Sequence, residues 1–570
     1  AFLEGLEPSN IDTQTYIFPA DVVSQSVMLR DITSHRTYGP LLEQALSEIP
    51  SISIVTPLGI NFSSPVKASI EMLEYGGGDG FQVDAGVKRV GGHSVNFPKN
   101  TMRLYFRAEY GYSKLKYPVF EGTRYGEGAA ESFDQLDLRG GSHDSVFYLG
   151  AGAQRPSDAL YLRNRWHHDA LFEMGQLSLH GRFVHVYING TYWGHYHLLE
   201  RPTRTFIASY LGGEKEAYES VNSGRTIGPA SPAWGQLRGI LNNYETARNW
   251  IDFTCLADYM VLNFYTGNDW DWSWNHNWMA AGPSTPGRGG YRFFNWDADI
   301  TFRHTTDANL NQPGPGNLFR DSLRHAQFRR LLADRIHKHL YNGGVLTPGR
   351  VQELFDLRAA QIQTSLVAET ARWRWGGTVW TRDNQWESER ARLRTDFIPR
   401  RTNIVINQIR GTGWYPDVPA PAFLVDGRAL HGGTVPPGAE LSMGVAGLER
   451  FVELPVIGTE APRSVYVPRD GELGDEWLLP AYEEGAHGES WRGASGGIGY
   501  ENSSGYEDAI DLDVGAEMTG DPGNTSIFVR IPFTIADGAA LRAMTNLTLM
   551  LDYDDGFVAY INGERLAADN

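Results

Sequence analysis

Three short stretches concentrate side chains able to handle phosphate and a hard metal ion. The first is Gly267-Asn268-Asp269-Trp270-Asp271-Trp272-Ser273-Trp274-Asn275-His276-Asn277-Trp278. The second is Phe293-Phe294-Asn295-Trp296-Asp297-Ala298-Asp299. The third is Gly91-Gly92-His93-Ser94-Val95-Asn96-Phe97-Pro98-Lys99, which runs into Met102-Arg103-Leu104-Tyr105-Phe106. Phosphoryl transfer asks for such a set. A lysine and Mg²⁺ offset phosphate charge, Mg²⁺ takes carboxylate or amide oxygens, and one carboxylate orients the accepting hydroxyl. The order along the chain fits. A glycine turn and Lys99 come first, then an acid on a loop, then Asn277 six residues after Asp271, then Asp297 at a strand end. Asp269 competes with Asp271 as the base, and Asn275 with Asn277 as the amide.

Each of these residues also has a structural reading. Asp297 could cap a turn. Asn275 and Asn277 could bond their own loop. Lys99 could be a solvated edge lysine, and the Trp-rich loop a packing plug or sugar-stacking surface. Glu200 could pair with Arg201 or Lys99. His167-His168 is a poor metal pair, because adjacent helical residues face different ways. Asp554-Asp555-Gly556 lacks spaced calcium ligands and reads as a turn.

The elements that must position these groups are visible as periodicity. Ser51 to Val55, Val66 to Leu73, Phe81 to Val90 and Met102 to Phe106 read as strands divided by glycine turns. Asn189-Gly190, between two β-prone runs, predicts a hairpin. Helices are expected from about Ser157 to Gly175 and from Thr254 to Tyr265, and a strand from Tyr291 to Trp296. From 325 to 410 the pattern is helical, with Phe328, Leu332, Ile336 and Leu340 on one face. Thr347-Pro348 reads as an N-cap and first helical residue. Strands first and helices later indicate an α+β domain over residues 1–410. Residues 411–460 read as a linker with a small β segment. Residues 461–570 read as an all-β accessory sandwich, incomplete at its end, with strands at Ile527–Ile531, Leu547–Leu551 and Phe557–Ile561.

Composition narrows the partners. The chain has 570 residues and a net charge of −18. Such a surface repels phosphate backbones and anionic membranes, so no nucleic-acid partner is expected. No run approaches the ~20 apolar residues of a membrane span. Cys255 is the single cysteine, which excludes an internal disulfide and a cysteine-built zinc site. The chain starts without Met and stops just after Ala559-Tyr560-Ile561-Asn562-Gly563-Glu564, in what reads as mid-hairpin. A longer parent is therefore expected, with any targeting signal beyond these ends.

Several segments resemble the CotH (spore-coat) kinase family, in its large multidomain bacterial form. Lys99 with Met102-Arg103-Leu104-Tyr105-Phe106-Arg107-Ala108-Glu109-Tyr110-Gly111 is similar to the family's lysine-strand motif. Leu136-Asp137-Leu138-Arg139 and Leu162-Arg163-Asn164-Arg165-Trp166 resemble the segments that follow. Val186-Tyr187-Ile188-Asn189-Gly190-Thr191-Tyr192-Trp193-Gly194-His195-Tyr196, ending at Glu200-Arg201-Pro202, resembles its most recognisable stretch. Asn275-His276-Asn277-Trp278 and Phe294-Asn295-Trp296-Asp297 resemble its Asn-rich loop and Trp-Asp motif, with His276 standing where the family pattern has Asn.

The resemblance implies an atypical protein-kinase-like fold that uses ATP and Mg²⁺ to phosphorylate Ser or Thr of a protein substrate. It implies Asp271 or Asp269 as the catalytic carboxylate. Asn277, Asn275, Asp297 and Asp299 would be metal ligands. Lys99, Gly91, Gly92, Ser94, Arg103 and Glu200 would lie around the nucleotide. An extracellular or cell-surface setting is expected by analogy. The alternative is a non-catalytic adhesin or glycan binder on the same fold, meeting a glycan or cell-surface partner through the C-terminal β modules.

Overall fold

The Asn-Gly hairpin organises the first half of the chain. Asn189 and Gly190 have φ of 48° and 75°, the left-handed pair that a two-residue turn matched to strand twist requires. They join the strands Gly181–Ile188 and Thr191–Leu199. The Asn189 amide reaches sideways, accepting from Thr56 N and donating to Thr56 O, both at 2.9 Å. The hairpin is thereby fastened to the end of the strand Ser51–Val55, which pairs parallel with Gly181–Ile188.

This parallel pair closes a seven-stranded barrel. Its order is Ser51–Val55, Val66–Leu73, Phe81–Val90, Thr101–Tyr105, Gln135–Arg139, Thr191–Leu199 and Gly181–Ile188, every other pairing being antiparallel. The computed structural model describes residues 13–76, 78–147, 158–268, 275–287, 289–307, 314–374, 379–417, 422–426, 428–429, 434–444, 456–469, 473–501, 509–520, 524–535, 549, 551, 553 and 556–569.

Alternation along the strands separates two faces. Ile52, Ile54, Ile70, Val87, Leu104, Leu138, Val184 and Leu198 belong to one apolar cluster. The opposite parity carries Arg103, Asp137, Arg139, Phe183, His195 and His197. These residues are buried too, Arg103 apart, because helices and a second sheet cover this face. The barrel thus turns a polar outer wall toward the rest of its unit.

The second sheet has the order Arg225–Thr226, Tyr218–Asn222, Trp278–Pro283, Arg292–Asn295. Beside it lies the helix Phe253–Thr266, apolar on nearly every side and almost wholly buried. Asp252 caps it by accepting from Cys255 N at 2.9 Å, and Gly267 ends it at φ 63°. The helix Arg163–Glu173 is equally buried but polar. Its charges are paired: Arg163 with Asp144 and Glu389, and Asp169 with Arg165 and Arg358. It begins at Arg163, later than the start near Ser157 expected from sequence: residues 158–162 are not α-helical, and 157 lies outside the described residues. The helices Ala326–Leu340, Pro348–Ile362, Ser365–Arg372 and Ile398–Gly411 follow. Phe328, Leu332, Ile336 and Leu340 are buried as their spacing predicts.

The chain divides into two compact units, Ala1–Ala446 and Gly447–Asn570. In the second, Arg463–Tyr466 pairs with Arg492–Ala494 and Phe528–Arg530 around Tyr466, Trp477, Trp491 and Phe528. Its described residues also form two further strand pairs, a short 3-10 helix, Glu476–Leu478, and an α-helix, Gly515–Gly520. An all-β sandwich is not what these residues show. Their strands are three to six residues long and form separate small sheets. Phe557–Ile561 is a strand as expected, whereas most of 547–551 lies outside the described residues.

Candidate functional site

The strand Arg292–Asn295 runs into Trp296 and then Asp297, whose φ of 52° turns the chain sharply back. Asp297 and Asp299 therefore face the same neighbour. That neighbour is Arg139, at the end of a barrel strand. Its Nη1 bonds Asp297 Oδ1, and its Nη2 bonds Asp299 Oδ2 at 2.7 Å. Side-chain exposure is 3% for Arg139, 2% for Asp299 and 36% for Asp297, so the pair opens to solvent on the Asp297 side alone. Asn164 Oδ1 accepts from Ala298 N at 3.3 Å, and Thr301 Oγ1 donates to Ala298 O at 3.0 Å, which holds the turn between the two acids.

A second layer of charge lies behind the first. Arg103 grips Asp137 with two bonds, of 2.5 and 2.9 Å, as its cross-strand neighbour. Arg201 reaches the same carboxylate at 3.4 Å and stacks 4.7 Å over the Trp296 ring. Burial alone would raise the Asp137 pKa. Arg103, Arg201 and Arg139 outweigh it and hold the carboxyl below its ordinary range. Burial, and then Arg103 beside it, pull Arg201 down to about 10.

The Asn-rich loop divides in two. Asn277, at φ 59°, lies with its amide nitrogen 3.5 Å from Asp297 O, so it belongs to the acidic turn. Asn275 instead accepts from the Trp278 indole at 2.9 Å, a structural contact. Ahead of the loop, Asn268 and Asn295 both donate to Asn263 Oδ1 at 2.8 Å. This bridge ties the end of the helix Phe253–Thr266 to the strand carrying the acids. Asp269 and Asp271 lie outside the described residues.

Lys99 sits just before the strand Thr101–Tyr105. Its ammonium is wholly buried, 2.6 Å from Glu369 Oε1 and 2.5 Å from His195 O, with the rings of Tyr196 and Tyr161 at 4.8 and 5.4 Å. Glu369 also accepts from His195 N at 2.8 Å through Oε2. Burial lowers the Lys99 pKa and Glu369 opposes the fall. Gly91 packs against Ser94, where a Cβ would come within 2.5 Å of Oγ. Asn100 fastens this loop by donating to Ser94 O and Phe97 O at 2.9 and 2.8 Å. Glu200 is engaged elsewhere. It accepts from His180 N and pairs with His180 Nδ1, at 2.9 and 2.7 Å, and accepts from Tyr210 at 2.6 Å. The pairing of Glu200 with Lys99 or Arg201 weighed from sequence is therefore not made.

A cavity of about 20 Å³ links the two polar groups. Arg139 and Asp299 line it together with Tyr161 and His195, which touch Lys99, and with Arg165 and His197. Arg165 Nη2, His195 Nε2 and His197 Nε2 have no hydrogen-bond partner among the described residues. A polar space of this size has room for one water. Burial keeps both imidazoles neutral, well below their usual pKa. His167 and His168 bond separate partners, Thr266 and Ser178. Among the described residues no three His, Cys, Asp or Glu side chains cluster as a metal site.

The sequence reading missed Glu369 and gave no role to Arg139 or Asp137. Asp137 and Arg139 were discoverable as same-face neighbours on a strand. Glu369, 270 positions from Lys99, leaves no local sign.

Compared with known proteins, the chain matches no curated protein. A family model described as CotH kinase protein matches residues 153–226 and 241–405. That span holds Asn164, Glu200, Asn277, Asp297, Asp299 and Glu369, whereas Lys99, Arg103, Asp137 and Arg139 precede it. Over that span the chain carries a domain of the CotH kinase family.

Proposed function

We propose that the first unit transfers the γ-phosphate of ATP to Ser or Thr hydroxyls of a protein substrate, with Mg²⁺. The observation that carries this reading is the strand-end turn on which Asp297 and Asp299 converge, with Asn277 against it. The donors suit the ion. Two carboxylates and an amide are hard oxygen ligands, and Asp297 is open to solvent. Asp297, Asp299 and Asn277 would hold the Mg²⁺, which when bound offsets charge on the phosphates.

The chain's own residues do the rest. Arg139, Arg103 and Arg201 stand behind the acids, and with Mg²⁺ bound the otherwise neutral cluster would favour an anionic ligand. Asn164 fixes the turn, so the acids are placed before any ligand arrives. Asp271 or Asp269 supplies the carboxylate that orients the hydroxyl. Lys99, braced by Glu369, is the ammonium on the barrel side of the site.

The test is turnover. The purified chain with ATP and Mg²⁺ should label itself or a protein acceptor, and Asp297→Ala should abolish labelling. Equal labelling by wild type and variant rejects the reading.

A further inference from the structure

The guanidinium of Arg139 stands where a divalent ion would be expected to stand. It spans both carboxylates that the proposed reading gives to the metal, and it is almost completely buried. Counting charge around it gives Asp137, Asp297 and Asp299 against Arg103, Arg139 and Arg201, three negative and three positive. The cluster is therefore neutral as it stands. A divalent ion alone would leave it at +2 in a place where Asp137, Arg139 and Asp299 are nearly dry, which is strongly unfavourable. A polyphosphate arriving with the ion would cancel that excess.

We propose that Arg139 and a divalent cation are alternative counter-ions of Asp297 and Asp299, and that Arg139, once displaced, pairs with the phosphate that accompanies the metal. The identity of the ligands rests on the reading above. The exchange rests on the geometry of Arg139. Its consequence is coupling. Metal alone binds poorly, nucleotide alone binds poorly, and each strengthens the other by the same factor. Arg139 acts here as a built-in stopper that a metal–nucleotide pair can lift and a free ion cannot.

The experiment measures binding and not phosphotransfer. Mn²⁺ is titrated into the full chain by calorimetry and by electron paramagnetic resonance, with and without ADP. In wild type, ADP should tighten Mn²⁺ by about tenfold or more. In Arg139→Met the cluster becomes net negative. Mn²⁺ alone should then bind about tenfold more tightly than to wild type, with most of the ADP dependence gone. Arg139→Lys keeps one charge but cannot fork across two carboxylates, so it should lie between the two. It also serves if the Met variant fails to fold.

Mn²⁺ binding that is no tighter in either variant overturns the exchange, as does a wild-type Mn²⁺ affinity indifferent to bound ADP. Absence of any ADP binding rejects the nucleotide reading instead, and the Mn²⁺-only arm still decides the exchange. Coupled binding without turnover keeps this inference and removes the catalytic one.

Discussion

Replacing Glu369 with Leu tests the buried pair directly. In the folded chain Lys99 and Glu369 both have 0% side-chain exposure, so the variant leaves an ammonium in a dry site with His195 O as its remaining bond. Breaking a buried pair on one side costs about 3–5 kcal/mol. The ordinary lysine pKa of 10.5 sets a ceiling on the charge part. At pH 7 the lysine can escape by losing its proton, at about 1.4 kcal/mol per unit over roughly 3.5 units, or about 5 kcal/mol. His195 N loses its acceptor as well, worth about 1–3 kcal/mol.

The sign of the pH dependence follows. Lys99 would be neutral in the folded variant and charged when unfolded. The variant should therefore regain stability at about 1.4 kcal/mol per unit as pH rises from 7 toward 10.5. Guanidinium unfolding is read by tryptophan fluorescence, since Trp373 and Trp193 adjoin the pair. The two units are fitted as separate transitions. The double variant Lys99→Met/Glu369→Leu should recover most of the loss. A single variant costing under about 1 kcal/mol at pH 7, or a double variant no better than the single, refutes the reasoning.

Gly194→Ala should destabilise by about 3 kcal/mol in the same unfolding assay, because φ is 127° and a Cβ would lie 2.5 Å from Glu369 Oε2. Asn189→Ala should cost about 2 kcal/mol, through loss of both Thr56 bonds and of a side chain tolerant of positive φ. Burial pulls His167 and His185 down to about 4 from an ordinary 6.5. Their contribution is complete above pH 6.5 and is lost as pH falls toward 4, by on the order of 3 kcal/mol each, visible as a falling denaturation midpoint.

Local patterns carried much of the fold. Asn189-Gly190 announced its hairpin because few residues tolerate left-handed φ twice in succession. Strands such as Phe81–Val90 and the helix Ala326–Leu340 declared themselves through period. Asp297 and Asp299 were visible as acids at a strand end. What faces them was not. Alternation places Arg139 on a face but does not name the partner across it, and Glu369 meets Lys99 only through the tertiary fold. The helix Arg163–Glu173 shows the same limit from another side. Its charges look solvated by composition, yet Arg163 and Asp169 are buried against partners far away in sequence, Glu389 and Arg358. In the second unit the described residues form small separate sheets, and the sandwich that the β-prone stretches suggested is not confirmed by them.

The parallel seam between Ser51–Val55 and Gly181–Ile188 has a consequence for synthesis. The first staves emerge from the ribosome early, but the stave that seals them is more than a hundred residues behind. At roughly 5–20 residues per second this is a wait on the order of ten seconds. During that interval Ser51–Val55 presents a raw sheet edge, the kind of surface that nascent chains join by mistake. The cell must shelter the unfinished vessel until its last plank arrives.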